Sequence, residues 1–423
     1  METAWSDLRA LVGAEHLRAS MLEDTVDDVL PQMVIEPGNP EEVAGALKIA
    51  MGAGLQVIPR GGATKLDWGN PPRSGDLILS TRRLNRVVEH AWGDMTATVE
   101  AGCTFQQLQQ ALAEHGQRLA LDPLWPDKAT IGGILATNDS GPLRVRFGSL
   151  RDLVIGITLA LPDGTLAKSG GKVVKNVAGY DLPKLATGSL GTLGIITQAI
   201  FRLHPVPRES RTLSFSSSDS ASMNALVLAI QDCNMVPTGV QVRAGSSSTP
   251  ETDFHEIDLR FEGTAAGCEA QIEQTLRIAS GARRGESPAE VWNAGSKLWS
   301  GAAPSVVCKF SLLPADLGTF LDSIRKASEP LHLPWGLVAQ AVGVGYLRLE
   351  GNDTTALLNA LQDLRKKLET RGGSLVILRC LHEVKLKTDV WGSAGDALPL
   401  MRSIKAQFDP TGVLNPGRFV GGI

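Results

Sequence analysis

Three short stretches of this 423-residue chain carry residue types that could do chemistry. Arg60-Gly61-Gly62-Ala63-Thr64 follows the apolar run Val57-Ile58-Pro59, residues 130–141 read TIGGILATNDSG, and residues 186–197 read ATGSLGTLGIIT. Adjacent glycines let a backbone approach a ligand closely. Successive N–H groups in a turn make an anion-binding nest. The first loop, with the Thr64 hydroxyl as an extra donor, is therefore expected to cradle a diphosphate. A single such loop is equally an ordinary glycine turn between strands. Three in succession, each beside an apolar strand or helix, point to a long ligand with phosphates and flat rings. The familiar nucleotide fingerprints do not fit. GVGYLR has Arg348 where G-x-G-x-x-G needs its last glycine, and no G-x-x-x-x-G-K-[ST] occurs.

Other chemical residues are scattered. Five cysteines include no C-x-x-C pair, so iron–sulfur and zinc spacings are absent, no metal is expected, and the thiols read as those of a reduced, cytoplasmic chain. Of seven histidines, His16, His90, His115, His255 and His332 sit singly and read as surface or satisfied core residues, and His204 as structural. A net charge of −4 argues against a nucleic-acid partner. With 43% hydrophobic and 20% charged residues the composition is globular. No run reaches the ~18 apolar residues of a membrane span. The first twenty residues read as an acidic amphipathic helix and not as a signal peptide.

The elements that must position the loops follow from periodicity. Residues 34–58 read as strand–helix–strand, the helix capped by Asn39 with Pro40 at its first position and stopped by Gly52 and Gly54. This puts the first loop at the C-terminal end of a strand, where α/β sheets place ligands. Thr104 and Gln107 form a capping box for a helix reaching about His115. LVIGITLALPDGTLA is a hairpin about Pro162-Asp163-Gly164, and GIITQAIFRLHPVP a strand closed by Pro205 and Pro207. From 211 the order strand, helix, strand, strand, helix occurs twice, separated by a linker at 281–303. This predicts a ferredoxin-like duplication with one antiparallel sheet and helices on one face. Leu357, Leu361, Leu364 and Leu368 share the apolar face of its last helix.

In this setting PRGGAT, DP…ATIGGILATNDSG, RFGSLRDLVIGITLALPDG, KNVAGYDLPKLATGSLGTLGIIT and FDPTGVLNPGRF resemble the vanillyl-alcohol-oxidase (PCMH-type) FAD-binding family. Its glycolate oxidase and D-lactate dehydrogenase branch is the nearest in pattern, and within that the smaller FAD-binding E-type subunits of bacterial glycolate oxidases. The resemblance implies an α+β fold: an N-terminal helical segment (1–30), a two-subdomain FAD-binding domain (31–207), a ferredoxin-like cap (208–395) and a C-terminal segment (396–423) returning to the FAD domain. It implies non-covalent FAD. Pro59, Arg60, Gly61, Gly62, Ala63 and Thr64 are expected at the diphosphate. Thr130, Gly132, Gly133, Thr137 and Asn138 fall along the flavin and its ribityl chain, and Gly188, Gly191, Gly194, Ile195 and Ile196 pack on the adenine or the ring. Asn415 approaches the isoalloxazine.

Departures from the family pattern are equally informative. Leu190 stands where relatives carry the glutamate of G-S-E-G-T-L-G, and the histidine-bearing G-D-G-N-x-H and E-H-G stretches of the cap are missing. His382, in Leu381-His382-Glu383, is the only positional echo of the family's active site. Lys309 is either an anchor for a substrate carboxylate or a cation on the exposed face of a strand. Lys172 and Lys175 are read as touching FAD phosphates or simply solvated, Tyr180 and Asp181 as locking their loop, and Trp292 and Trp299 as cap core. Intact FAD loops beside missing catalytic motifs imply a subunit of a 2-hydroxy acid (glycolate) oxidase complex. Its partners would be a catalytic D-type paralogue and an iron–sulfur F-type subunit, with membrane association at most peripheral. A stand-alone D-lactate or 2-hydroxy acid dehydrogenase and a flavin-free scaffold are the alternatives.

Overall fold

The computed structural model describes residues 2–172, 180–217, 219–246, 253–280, 282–285, 289–301 and 303–423. The chain divides into two compact units: residues 1–140, 148–206 and 394–423 form the first, and residues 141–147 and 207–393 the second.

Two main sheets and a two-stranded ladder, Gln117–Arg118 with His204–Pro205, build the first unit among the described residues. In the smaller, Leu17–Ala19 pairs antiparallel with Met33–Ile35, and Met33–Ile35 and Val57–Arg60 flank Leu77–Ser80 in parallel. Parallel neighbours need a crossover, and the helix Pro40–Ala53 supplies one. Asn39 Oδ1 accepts the Glu42 N–H at 2.8 Å, and Gly54 closes the helix at φ 68°. Val43, Leu47 and Ala50 of this helix pack with Ile35, Val57 and Leu77. The larger sheet is antiparallel, in the order Val87–Ala91, Thr96–Glu100, Ile195–Arg202, Val154–Ala160, Leu166–Gly170. Its last two strands are the expected hairpin.

The second unit is one eight-stranded antiparallel sheet. Its order is Arg283–Gly285, Glu209–Ser217, Phe254–Gly263, Gly239–Gly245, Trp335–Gln340, Val344–Glu350, Ser305–Ser311, Ser374–Arg379. The two halves meet where Gly239–Gly245 pairs with Trp335–Gln340. Alternate strand residues, among them Phe215, Val242, Leu259, Leu337, Leu347 and Phe310, form one core with Met223, Val227, Phe320, Leu357 and Leu364 of the helices. The two repeats are as the periodicity predicts, with one correction. Residues 281–303 are not all linker: Arg283–Gly285 supplies the fourth strand of the first repeat. Three residues are too short to show alternation, which hid them in the sequence. Of the two tryptophans there, Trp299 is buried, and Trp292 Nε1 donates to Thr212 Oγ1 at 3.0 Å.

The opposite sheet face holds a buried charge. Asp258 has no exposed surface and accepts from Ser214 Oγ (2.6 Å), Gln241 Nε2 (2.9 Å) and Arg243 Nε (2.6 Å) and Nη2 (2.9 Å). Removing one member of a buried ion pair costs about 3–5 kcal/mol where the other is left uncompensated, an upper bound here because Arg243 also pairs with Glu256 at 2.6 Å. Asp258→Ala is accordingly expected to destabilise the second unit by at most about 3–5 kcal/mol, read as a lower urea midpoint with the slope of the transition unchanged.

Candidate active site

The first loop, the segment 130–137, the segment 190–196 and the C-terminal tail converge on one crevice. The tail is stitched to the strand Val57–Arg60. The Val57 N–H donates to Val413 O at 2.8 Å, and the Asn415 N–H donates to Val57 O at 2.9 Å. Lys405 holds the tail's other edge, donating to Asp409 Oδ2 (2.5 Å), Thr192 O (2.8 Å) and Leu414 O (3.0 Å), while Asp409 accepts the Val413 and Leu414 N–H groups. Burial pulls the Lys405 ammonium below its ordinary value, against the lift from Asp409.

The glycines serve the protein as well as a ligand. A Cβ on Gly61 would sit 2.2 Å from Thr130 Oγ1, and one on Gly62 would sit 1.9 Å from the Lys128 carbonyl oxygen. The loop is thus bare because it nests against the segment that starts the helix Ile131–Thr137. Thr130 caps that helix, and its hydroxyl accepts the N–H groups of both Gly62 and Gly133 at 3.4 Å. The N–H groups of Gly61, Ala63 and Thr64 make no backbone hydrogen bond among the described residues, which leaves them available to an anion.

Among the described residues, five of the nine non-glycine residues with positive φ belong to this region: Ala63, Trp125, Asn138, Leu190 and Asn415. Each costs of order 1–3 kcal/mol, and such strain gathers where a site over-determines the backbone. The Asn415 Nδ2 donates to Leu190 O at 2.6 Å. Its Oδ1 is buried with no partner among the described residues. An acceptor held in that condition is suited to a ring N–H.

Pro59, Arg60, Gly61, Gly62, Ala63, Thr64, Thr130, Gly132, Gly133, Thr137, Gly191, Gly194, Ile195, Ile196 and Asn415 all line the crevice. Asn138 and Gly188 do not. They face each other behind it, a Cβ on Gly188 meeting the Asn138 Cβ at 3.4 Å, and they set the turns that aim their neighbours. The Arg60 guanidinium is engaged elsewhere, with Asp24 at 2.5 Å. Lys172 pairs with Glu89 and Lys184 with Asp181, and Tyr180 is exposed. Lys175 and the rest of residues 173–179 lie outside the described residues. Lys309 (strand Ser305–Ser311) and His382 (opening the short helix His382–Lys385) belong to the second unit and are not among the lining residues.

Sequence reasoning missed Lys65, Leu66, Trp68, Thr81, Ala136, Leu190 and Arg418 as lining residues. The signal for Arg418 was its place in NPGRF. Only 3% exposed, it donates to the Leu66 and Trp68 carbonyls and so clasps the first loop to the tail.

A crevice of bare backbone, hydroxyls and one orphaned amide oxygen, set within the first unit, fits a flavin dinucleotide. Residues 31–170 match the family model described as FAD binding domain, and residues 393–419 that of FAD linked oxidases, C-terminal domain. An uncharacterized FAD-linked oxidoreductase of Mycobacterium tuberculosis is 30% identical over 92% of this chain and 91% of its own length. Glycolate oxidase subunit GlcD of Bacillus subtilis is 25% identical over 92% and 89%, and a mitochondrial D-lactate dehydrogenase (cytochrome) of Arabidopsis thaliana 28% over 92% and 74%. The solved structure of p-cresol methylhydroxylase superposes with a TM-score of 0.80 at 16% identity, covering 99% and 96%, which shows the shared PCMH-type α+β fold. The chain belongs to the FAD-linked oxidoreductases. FAD is its cofactor.

Proposed function

We propose that this chain is the FAD-holding subunit of a 2-hydroxy acid dehydrogenase complex that oxidises glycolate to glyoxylate and delivers the electrons to an iron–sulfur partner. The observation that carries the reading is the contrast between an intact crevice and Leu190, an apolar side chain at the crevice wall where relatives bear a carboxylate. In this reading the N–H groups of Gly61, Ala63 and Thr64 hold the diphosphate, and the small residues Gly132, Gly133, Ala136 and Gly194 keep the ring flat against backbone. Asn415 Oδ1 accepts from the ring edge. Bound there, FAD supplies a two-electron acceptor. The chain's own part is to bind it, orient it and exclude water from its diphosphate. The catalytic carboxylate anchor and base would come from a larger flavin-bearing paralogue.

Among the described residues no helix is long and apolar enough to cross a membrane. The proposed location is cytoplasmic, with any membrane association through partners.

The test is the purified chain given glycolate without oxygen. A yellow protein whose flavin band does not bleach, and which captures a sequence-similar flavoprotein together with a cysteine-rich subunit, is the expected outcome. Bleaching by glycolate or D-lactate would sink the subunit reading. It would favour a stand-alone dehydrogenase, with Lys309 as carboxylate anchor and His382 as base. Relatives that align over most of their length, the D-lactate enzyme among them, are the observation behind that second reading. No histidine is among the lining residues, so acid precipitation is expected to release the flavin into the supernatant. Flavin remaining in the pellet would show a covalent tether.

A further inference from the structure

We propose that a second site on the first unit, beside the C-terminal tail, binds a phosphate group between Arg73 and Arg402. The pocket there is lined by both arginines with Lys405, Asp409, Thr411 and the turn Gly421-Gly422. It shares no lining residue with the crevice. Arg73 Nη2 donates to Gly422 O at 2.7 Å, and Arg402 Nη2 donates to Gly421 O at 3.2 Å. The Arg73 side chain lies close over bare backbone. A Cβ on Gly417 would sit 2.6 Å from its Cγ, and one on Gly422 would sit 2.7 Å from its Nη2.

Carbonyls of adjacent residues thus bring two guanidiniums to one pocket, and neither forms an ion pair among the described residues. Asp409 is the one acidic side chain lining the pocket, and it is already engaged. Lys405 Nζ lies 2.5 Å from its Oδ2, and the Val413 and Leu414 N–H groups donate to it. Two positive charges are left unmatched, and an anion between them relieves their repulsion. Each guanidinium carries five N–H donors in a planar fork and spends one on a carbonyl. Thr411 adds a hydroxyl. A phosphate monoester brings about −1.5 to −2 charges at neutral pH and three acceptor oxygens, which suits two forks better than a single carboxylate does. Both arginines are exposed, so a solute reaches them directly.

The probe is inorganic phosphate, followed by the broadening of its phosphorus NMR line as the purified chain is added at fixed ionic strength. Glycerol 2-phosphate and acetate are the comparison anions. Saturable broadening by the wild-type chain is expected. Arg73→Gln and Arg402→Gln are each expected to weaken binding about tenfold or more. Arg402→Lys keeps the charge and loses the fork, and is expected to fall between. Lys326→Gln removes an exposed charge from the second unit and is expected to leave affinity unchanged. Circular dichroism checks folding. Should Arg73→Gln loosen the tail, Arg402→Gln carries the test, because Arg402 stands exposed on the helix Leu398–Phe408. Glycerol 2-phosphate binding as tightly as inorganic phosphate supports a site for phosphate esters, and inorganic phosphate alone supports one for the free anion. No saturable binding, equal affinity in the wild type and both glutamine variants, or acetate binding as tightly as phosphate overturns the inference. The FAD reading stands or falls separately, since both arginines lie outside the crevice lining.

Discussion

Gly62→Ala is expected to cost the protein most of its affinity for FAD. The added Cβ would lie 1.9 Å from the Lys128 carbonyl oxygen and 3.0 Å from its carbon, backbone atoms that cannot swing aside. The loop must lift from the segment leading into Ile131–Thr137, and the Gly62 N–H then loses Thr130 Oγ1. Overpacking of this kind costs about 1–3 kcal/mol, and the lifted loop no longer presents the Gly61, Ala63 and Thr64 N–H groups together, which weakens affinity. Fluorescence titration of the apoprotein with FAD measures it, and far-ultraviolet circular dichroism checks that the fold survives. Gly52→Ala is the control. It sits inside the helix Pro40–Ala53 with nothing within 4 Å of its would-be Cβ, so it is expected to bind FAD normally and to gain roughly 0.5–1 kcal/mol of stability. Equal affinities for the two variants would mean that FAD does not depend on the contact between the first loop and Lys128.

That contact marks the difference between what sequence could and could not show. Residues with local consequences were readable: Asn39 and Thr104 as caps, the Pro162-Asp163-Gly164 turn, and the leucine stripe at 357–368, because each acts on neighbours a few positions away. The glycine loops were legible as a set, and most of their residues line the crevice. Their physical reason was only half legible. Bare backbone was attributed to a ligand, yet Gly61 and Gly62 are also demanded by Thr130 and Lys128, nearly seventy positions on. Arg60 was expected at the diphosphate through the family resemblance, and it lines the crevice. Its guanidinium also pairs with an aspartate in the N-terminal segment, a pairing with no local pattern to announce it.

Asp24→Ala is therefore expected to be the most destabilising exchange in the first unit. The Asp24 side chain is 1% exposed and accepts from Arg18 at 2.7 and 3.0 Å, from Arg60 at 2.5 Å and from the Met21 N–H at 2.8 Å. The exchange strips a half-buried Arg60 of its counter-charge at the crevice wall, a loss of about 3–5 kcal/mol, read as a lower urea midpoint. The pH dependence has a definite sign. The hydrogen bond from Arg18 first, then those from Arg60 and the Met21 N–H, hold the Asp24 carboxyl well below the usual carboxylate range, against the opposing effect of burial. A carboxyl with a lowered folded-state value contributes its full stability above its unfolded value, about 4, and loses it as the pH falls below that. The gap between wild type and Asp24→Ala is thus expected to be constant from pH 7 to pH 5 and to narrow progressively below about pH 4. A gap that widens on acidification would show that Asp24 is protonated in the native protein, and would free Arg60 to reach the cofactor after all.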